Sequence, residues 1–425
     1  MSTPEVLLLL GAFLAMTLIR VPIAIAIGAV LLAYNAMLGL DALEMAQDTF
    51  QSIDSFPLIA IPMFVLAGSI MATGGVAKRI LDLADEFVGH MYGGLAIVTI
   101  ISCVIFGGLS GSAPATVAAV GSITIPAMIK QGYSAGFAAG VAACSGVIAI
   151  IIPPSNPMII YSLSQYATSV SDMFLAGIVP GIMLAIGMAV PAWWISKRNN
   201  WGAHRPKGTR ASKLAAFKKA RWAILTPVII LGGIYSGIFT PTESAAIACL
   251  YAYLVGIFIH KDLRFRDTYK VLATSAMITV VAMFLMTFAT AFGKVLTSQN
   301  VPTLIAEMMS GSVHSMVATL LMINAFLLFI GCFMDTLAAI IILTPLLYPL
   351  LQQYGIGVYQ FGLMMIINLG IGFVTPPFGG NLFIANQLSN TSVPAVFKGA
   401  TPLILGMLFI LMLITFVPFF STMWL

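Results

Sequence analysis

The chain has 425 residues, of which 60% are hydrophobic and only 8% charged, with a mean hydropathy of +1.05. A soluble protein of this size needs about three times as many charged residues to cover its surface, so a soluble core is excluded. The net charge of +5 does not mark a nucleic-acid-binding protein either: nine of the 19 basic residues fall between Lys197 and Arg221, and four more at Lys261, Arg264, Arg266 and Lys270. Short basic loops between apolar runs are the positive-inside signal of a membrane protein.

The apolar runs have the length that crosses hydrocarbon as a helix, and the alternation of a membrane β-barrel is absent. The expected fold class is therefore an all-α polytopic membrane protein. Spans are expected at 5–20, 22–39 and 56–72. The N-terminus, MSTPEVLLLL, has no basic n-region or cleavage site, so the first span is read as retained. An amphipathic stretch, KRILDLADEF at 78–87 within an interfacial helix 75–90, follows. Apolar pieces at 93–109 and 113–130 are separated by Ser110, Gly111 and Ser112. Pieces at 134–152 and 155–166 flank Pro153 and Pro154, and 172–196 is a full span. A basic linker, 197–222, divides the chain. The order then recurs, with spans near 223–239 and 242–259, a charged stretch at 260–270 and a long span to about 298. Pieces at 313–333 and 336–352 come next, then 359–374 and 377–389 around Pro376 and Pro377, and a last span at 400–421.

A shift of 223 positions pairs Gly108 with Gly331, Pro126 with Pro349, Gly132 with Gly355, and Pro153-Pro154 with Pro376-Pro377. It also pairs Ser112 with Asp335. Such matches point to two repeats, 1–196 and 223–425. If 93–130 is a re-entrant hairpin, then Arg20, Lys78, Arg79, Lys130, the linker, the 261–270 cluster and Lys398 share the cytoplasmic face. That places 18 of 19 basic residues together and leaves only Lys294 outside. The second hairpin, 313–352, then enters from the other side, so the repeats are inverted.

Inverted repeats with broken helices place binding sites near the bilayer midplane. A sodium ion needs oxygens in place of its water, and an intact helix has its carbonyls already bonded. Proline lacks an N–H and disfavours helix before it, which frees carbonyls around Ile150–Ile152. The expected first sodium site is Ser110, Gly111, Ser112, Gly146, Ile152, Pro153 and Asn156. The expected second site is Met334, Asp335, Thr336, Gly372, Thr375 and Pro376. Substrate is expected between them, on Ser112, Thr116, Asn156, Asp335 and Asn381, with the positive ends of the helices after each tip favouring an anion. Asp335 is an intramembrane carboxylate, functional by default. Glu243 in GIFTPTESAA reads as part of a helix cap. The four Cys lie in apolar spans without metal spacing, and His90, His204, His260 and His314 do not cluster. No nucleophile–base pair, phosphate loop or ATPase motif occurs. Neither an enzyme nor a cofactor is expected, and energy has to come from an ion gradient or a partner.

The segments FGGLSGSAPATVAAVGSITIPAM, SGVIAIIIPPSNPMIIY, GIFTPTESAA and GFVTPPFGGNLFIA together resemble the large membrane subunit of TRAP (tripartite ATP-independent periplasmic) transporters, over essentially the whole chain. The resemblance implies a sodium-driven importer of organic acids in the bacterial inner membrane, with Na+ as coupling ion. It implies an elevator mechanism in which 5–72 and 223–298 are scaffold and the hairpins and broken helices move. It also implies two partners, a small four-span membrane subunit expected as a separate chain and a soluble periplasmic binding protein. Family substrates are mainly C4-dicarboxylates, sialic acids and other carboxylates, and Asn156 favours a polar sugar acid such as sialic acid. The alternatives are a stand-alone sodium/dicarboxylate symporter of related hairpin fold, and a channel or membrane scaffold.

Overall fold

The structure, a computed structural model, describes residues 11–13, 15–16, 21–38, 42–51, 53–164, 168–202, 207–299, 315–377 and 379–425. Most of the expected first span with Arg20, as well as His204 and His314, lies outside the described residues.

Among the described residues the regular elements are helices, joined by turns. The first described helix, α1 (Ile23–Leu38), is followed by a short polar helix α2 (Ala42–Gln51). A 3-10 turn, Phe56–Ile59, leads into α3 (Ala60–Thr73). The amphipathic α4 (Val76–Val88) buries Ile80, Leu81 and Ala84 and turns Lys78, Asp82 and Glu86 away from that core. Next come a hairpin, α5 (Gly94–Ser110) and α6 (Ala113–Lys130), and a helix in two pieces, α7 (Ala135–Gly146) and α8 (Asn156–Ser164). The long α9 (Val170–Arg198) follows. The order is repeated by α10 (Arg210–Tyr235), α11 (Pro241–Leu254, continued to His260) and α12 (Thr268–Ser298). A second hairpin is formed by α13 (Met316–Gly331) and α14 (Thr336–Gln352). A second interrupted helix, α15 (Val358–Gly372) and α16 (Gly380–Ser389), is followed by the long α17 (Val393–Phe416). Six of the described segments are long and apolar enough to cross a membrane, among them Val170–Arg198, Phe265–Phe292 and Val393–Phe416.

Two helix starts depart furthest from the sequence expectation. Helix α10 begins at Arg210, well inside the stretch read as a linker ending at 222. Thr209 caps it, its hydroxyl accepting from the Ser212 amide at 3.1 Å, and the run to Trp222 has no Gly or Pro to stop it. Likewise α17 begins at Val393 rather than 400, with Ser392 in extended conformation at its N-cap and Pro394 in its first turn, where a missing N–H costs nothing.

Packing sorts the helices into neighbours that matter for the site. Helices α1, α3, α11 and α12 pack together, with α10 against α4 and α11. Helices α5 to α9 and α13 to α17 form the rest. In it α16 crosses onto α6 and α7, while α8 lies on α14, so each interrupted helix ends against the other half of the chain. The Thr240–Glu243 capping box sets the start of α11: the Glu243 carboxylate accepts from the Thr240 amide at 2.8 Å, and the Thr240 hydroxyl accepts from the Glu243 amide at 3.3 Å. Glu243 is thus a cap, as its sequence context implied.

Candidate functional site: two hairpin tips on one cavity

The first tip turns at Gly111, whose φ of +59° is a left-handed conformation that suits glycine. Its amide closes α5 onto the Gly107 carbonyl at 2.8 Å. Ser112, extended, starts α6 without using its side chain as a cap. A Cβ on Gly111 would lie 3.1 Å from the Asn156 amide nitrogen and 3.2 Å from the Pro154 carbonyl oxygen, so the tip sits directly on the first helix break. At that break α7 tightens into a 3-10 turn, Val147–Ile150, before the Pro153-Pro154 bond, which is cis. The Ser155 hydroxyl donates to the Ile150 carbonyl at 2.6 Å, which removes that carbonyl from the free set read from the sequence. Among the described residues no donor reaches the carbonyls of Ile151, Ile152, Pro153 or Pro154.

The second tip is built differently. Three residues, Cys332 to Met334, turn the chain between α13 and Asp335, the N-cap of α14, whose carboxylate accepts from the Leu337 amide at 2.9 Å. Gly331 lies against the second interrupted helix, where a Cβ would sit 3.0 Å from Leu369 Cα and 3.3 Å from Gly372 Cα. This break also carries a cis Pro-Pro bond, at Pro376-Pro377. Its carbonyls are better occupied: Ile371 accepts from the Thr375 hydroxyl at 2.8 Å, Phe373 from the Asn381 amide and Thr375 from the Gly379 amide.

Both tips open onto one cavity of about 750 Å³. Ser110, Gly111, Ser112, Asn156, Asp335 and Thr336 line it, opposite an apolar wall from α1, α3 and α12 that includes Ile25, Val65, Phe284 and Leu285. The cavity therefore brings together six of the residues singled out in the sequence. The others sit behind it. Thr116 is fully buried and hydrogen-bonded to the Ser110 hydroxyl at 2.8 Å, so it faces the tip rather than the cavity. Gly146, Ile152, Pro153, Met334, Gly372, Thr375, Pro376 and Asn381 are likewise off the cavity wall. Asn381 reaches across to the first half of the chain, donating to the Ala143 carbonyl at 3.0 Å. Among the buried side-chain oxygens without a partner among the described residues are Asn156 Oδ1, Thr336 Oγ1 and Asn381 Oδ1; others, such as Ser102 Oγ, Ser162 Oγ and Asn368 Oδ1, lie on residues that the sequence did not single out. Sequence reasoning missed the facing wall, where Gly68 on α3 approaches the first tip so closely that a Cβ would lie 2.8 Å from Ser110 Cα. The adjacent Gly68-Ser69 pair, small residues inside an apolar span, was the available signal.

Against known families, residues 10–420 match the model of the DctM component of tripartite ATP-independent periplasmic transporters. The chain belongs to this family. It is 44% identical over 411 residues to the isethionate TRAP transporter permease protein DctMQ of Oleidesulfovibrio alaskensis, which covers 96% of this chain; the chain spans 65% of that relative's length. It is 40% identical over 375 residues to the C4-dicarboxylate TRAP transporter large permease protein DctM of Pseudomonas aeruginosa, covering 88% of this chain and 87% of that protein. To the sialic acid TRAP transporter permease protein SiaT of Haemophilus influenzae it is 36% identical, over 98% of this chain and 68% of that one. A solved structure, the YdaH transporter of Alcanivorax borkumensis, overlays with a TM-score of 0.61 at 12% identity, covering 88% of this chain and 86% of that one. At that identity the likeness concerns the fold alone. A DctM-type chain is an integral membrane permease component and not an enzyme, which agrees with its apolar helices. Among the described residues there is no cluster of three His, Cys, Asp or Glu side chains.

Proposed function

We propose that this DctM-type chain is the large membrane subunit of a sodium-coupled importer of an organic acid anion in the bacterial inner membrane. The observation that carries this reading is the shared cavity: two hairpin tips, each seated on its own helix break, meet at one space large enough for a small organic acid. The three unpartnered buried oxygens at the breaks and tips support oxygen-liganded cation sites, one behind each tip. Sodium suits such a set because it needs hard oxygen donors and no thiolate or imidazole.

Substrate then lies between the tips, on Ser112, Asn156 and the α14 side of the cavity. The relatives named above transport, by their names, isethionate, C4-dicarboxylate and sialic acid; a small carboxylate or sulfonate anion is the common chemistry. The basic residues put the starts of α1 and α12 and the end of α3 on the cytoplasmic side. The cavity runs from the tips toward Pro22 and Ala72, which supports an inward-facing state releasing to the cytoplasm. In that reading α1, α3, α11 and α12 are the static scaffold and the tips move past them with the interrupted helices, as an elevator. The two halves, 1–196 and 223–425, are inverted repeats. Uptake draws on a small four-span membrane subunit and on a periplasmic binding protein that delivers substrate. If two sodium ions enter with a monoanion, one net positive charge crosses; that supplies about 2.3 kcal/mol per 100 mV, or roughly fiftyfold accumulation.

The test is uptake in proteoliposomes with an inward sodium gradient, offering isethionate, a sialic acid and a C4-dicarboxylate in turn. Uptake that appears only when both partner proteins are present is expected. Uptake by the chain alone would favour a stand-alone symporter, and sodium-independent flux would favour a channel.

A further inference from the structure

The second hairpin differs from the first in how its arms are held. Helices α5 and α6 pack along each other, whereas α13 packs mainly on α15 and meets its own hairpin partner α14 only sparsely. Where α13 meets α15 there is a polar pair within an apolar interior. The Asn368 amide of α15 donates to the Asn324 side-chain oxygen of α13 at 2.7 Å and to its own-helix Met364 carbonyl at 2.9 Å. Asn324 donates in turn to the Leu320 carbonyl at 2.7 Å, and the Thr415 hydroxyl of α17 approaches its oxygen at 3.4 Å. All three side chains are at most 2% exposed. The corresponding positions of the first half, 223 residues earlier, are Ile101, Ser145 and Ala192. There Ser145 donates within its own helix to the Val141 carbonyl at 2.6 Å. The cross-helix bridge is therefore a feature of the second half among the described residues.

We propose that Asn324 and Asn368 are a positioning pair: their amide–amide bridge fixes the axial register of α13 on α15 and so sets where the second tip stands over the second break. This rests on reading that tip and break as an ion site. Apolar packing between helices tolerates sliding, while a buried hydrogen bond is directional and costly to leave unmade. The bridge lies on the same two helices as the Gly331–Gly372 contact, seven residues before Gly331 and four before Gly372. A slip of one residue moves the tip by about 1.5 Å, well beyond the roughly 0.5 Å within which a binding constellation has to be held. The tip residues Asp335 and Thr336 would then no longer meet the break in one geometry. Close backbone approach occurs at both tips, Gly107 against Ala149 at the first and Gly331 against Gly372 at the second, so what the second adds is the directional bridge.

Cys332, buried in the turn of the second tip, supplies a probe. The full-length chain, with Cys103, Cys144 and Cys249 changed to alanine, is placed in nanodiscs and alkylated with N-ethylmaleimide in choline chloride and in increasing sodium chloride. The double variant Asn324→Leu/Asn368→Leu replaces the bridge by an apolar pair of similar volume and leaves no amide unpaired. Unfolding at the parent temperature is expected, with Cys332 alkylation about tenfold faster in choline and the sodium concentration for half-protection raised by a similar factor, the scale of one buried hydrogen bond. Thr415→Val, which removes only the third member, gives the same readouts in milder form should the double variant fail to fold. Parent alkylation and parent half-protection in these variants would overturn the positioning role. Faster alkylation with no sodium protection in any form would leave the positioning role standing and remove the ion-site reading of the second tip.

Discussion

Asp335 holds two roles that single substitutions can separate. As N-cap of α14 it accepts from the Leu337 amide, and as a carboxylate open to the cavity it offers charge. Asparagine caps a helix about as well as aspartate. Asp335→Asn is therefore expected to keep the unfolding temperature while raising the sodium concentration for half-maximal uptake about tenfold, the effect of losing a charge that faces the cavity. Asp335→Ala should show the same sodium defect and in addition a lowered unfolding temperature, from a lost cap worth about 1 kcal/mol. Gly111 is the second residue on which the site turns. Alanine there would take a left-handed conformation costing about 1–2 kcal/mol and crowd the Asn156 amide, so Gly111→Ala should abolish uptake while leaving the chain folded in the membrane. At this scale the sequence named six of the residues on the cavity, because small, hydroxyl and carboxylate residues stand out inside apolar spans. It could not say which way each side chain points. Thr116 and Asn381, expected on the substrate, lie off the cavity wall: the Thr116 hydroxyl pairs with Ser110 and the Asn381 amide nitrogen donates to the Ala143 carbonyl, which leaves its side-chain oxygen without a partner among the described residues. Those contacts depend on helix rotation and on a crossing between distant segments, which no local pattern encodes.

The elements were legible where punctuation is strong. The turn at Gly111-Ser112, the capping box at Thr240–Glu243 and the proline pairs all fall at helix ends. Legibility failed where charge was taken for loop: Arg210 to Arg221 is helical because lysine, arginine and alanine are good helix formers and Thr209 starts the helix. Thr209→Ala should therefore fray the start of α10, seen as faster amide exchange over 210–214, with uptake unchanged. Ion pairs between elements carry less weight. Arg79 of α4 meets Asp262 at 2.6 Å near the surface, with the Asp262 side chain 45% exposed. Asp262→Ala is expected to shift stability by less than about 1 kcal/mol and to leave sodium dependence at the parent value, checked by unfolding and uptake side by side. The Asn324–Asn368 bridge was invisible in the sequence because each asparagine alone reads as one polar residue in a span; only the crossing of α13 and α15 makes them a pair.

For the molecule as a whole, the family followed from motifs spread along the chain, and the match over residues 10–420 agrees with that breadth. The space between the tips and the α1–α3–α12 wall was not legible, since it depends on how two sets of helices stand against each other. The close approach of Gly68 to Ser110 marks one place where those sets touch; α12 also packs on α14. A larger side chain there, as in Gly68→Leu, should hold the first tip off α3 and slow transport without altering the sodium concentration for half-maximal uptake, which separates movement of the tip from ion binding. The most direct test of sodium coupling is uptake of a radiolabelled substrate into proteoliposomes holding the chain with its partner subunit and binding protein, under an imposed sodium gradient or the same gradient of choline. Accumulation above equilibrium with sodium, enhanced by an interior-negative potential and absent with choline, is expected. Equal accumulation in choline would contradict sodium coupling.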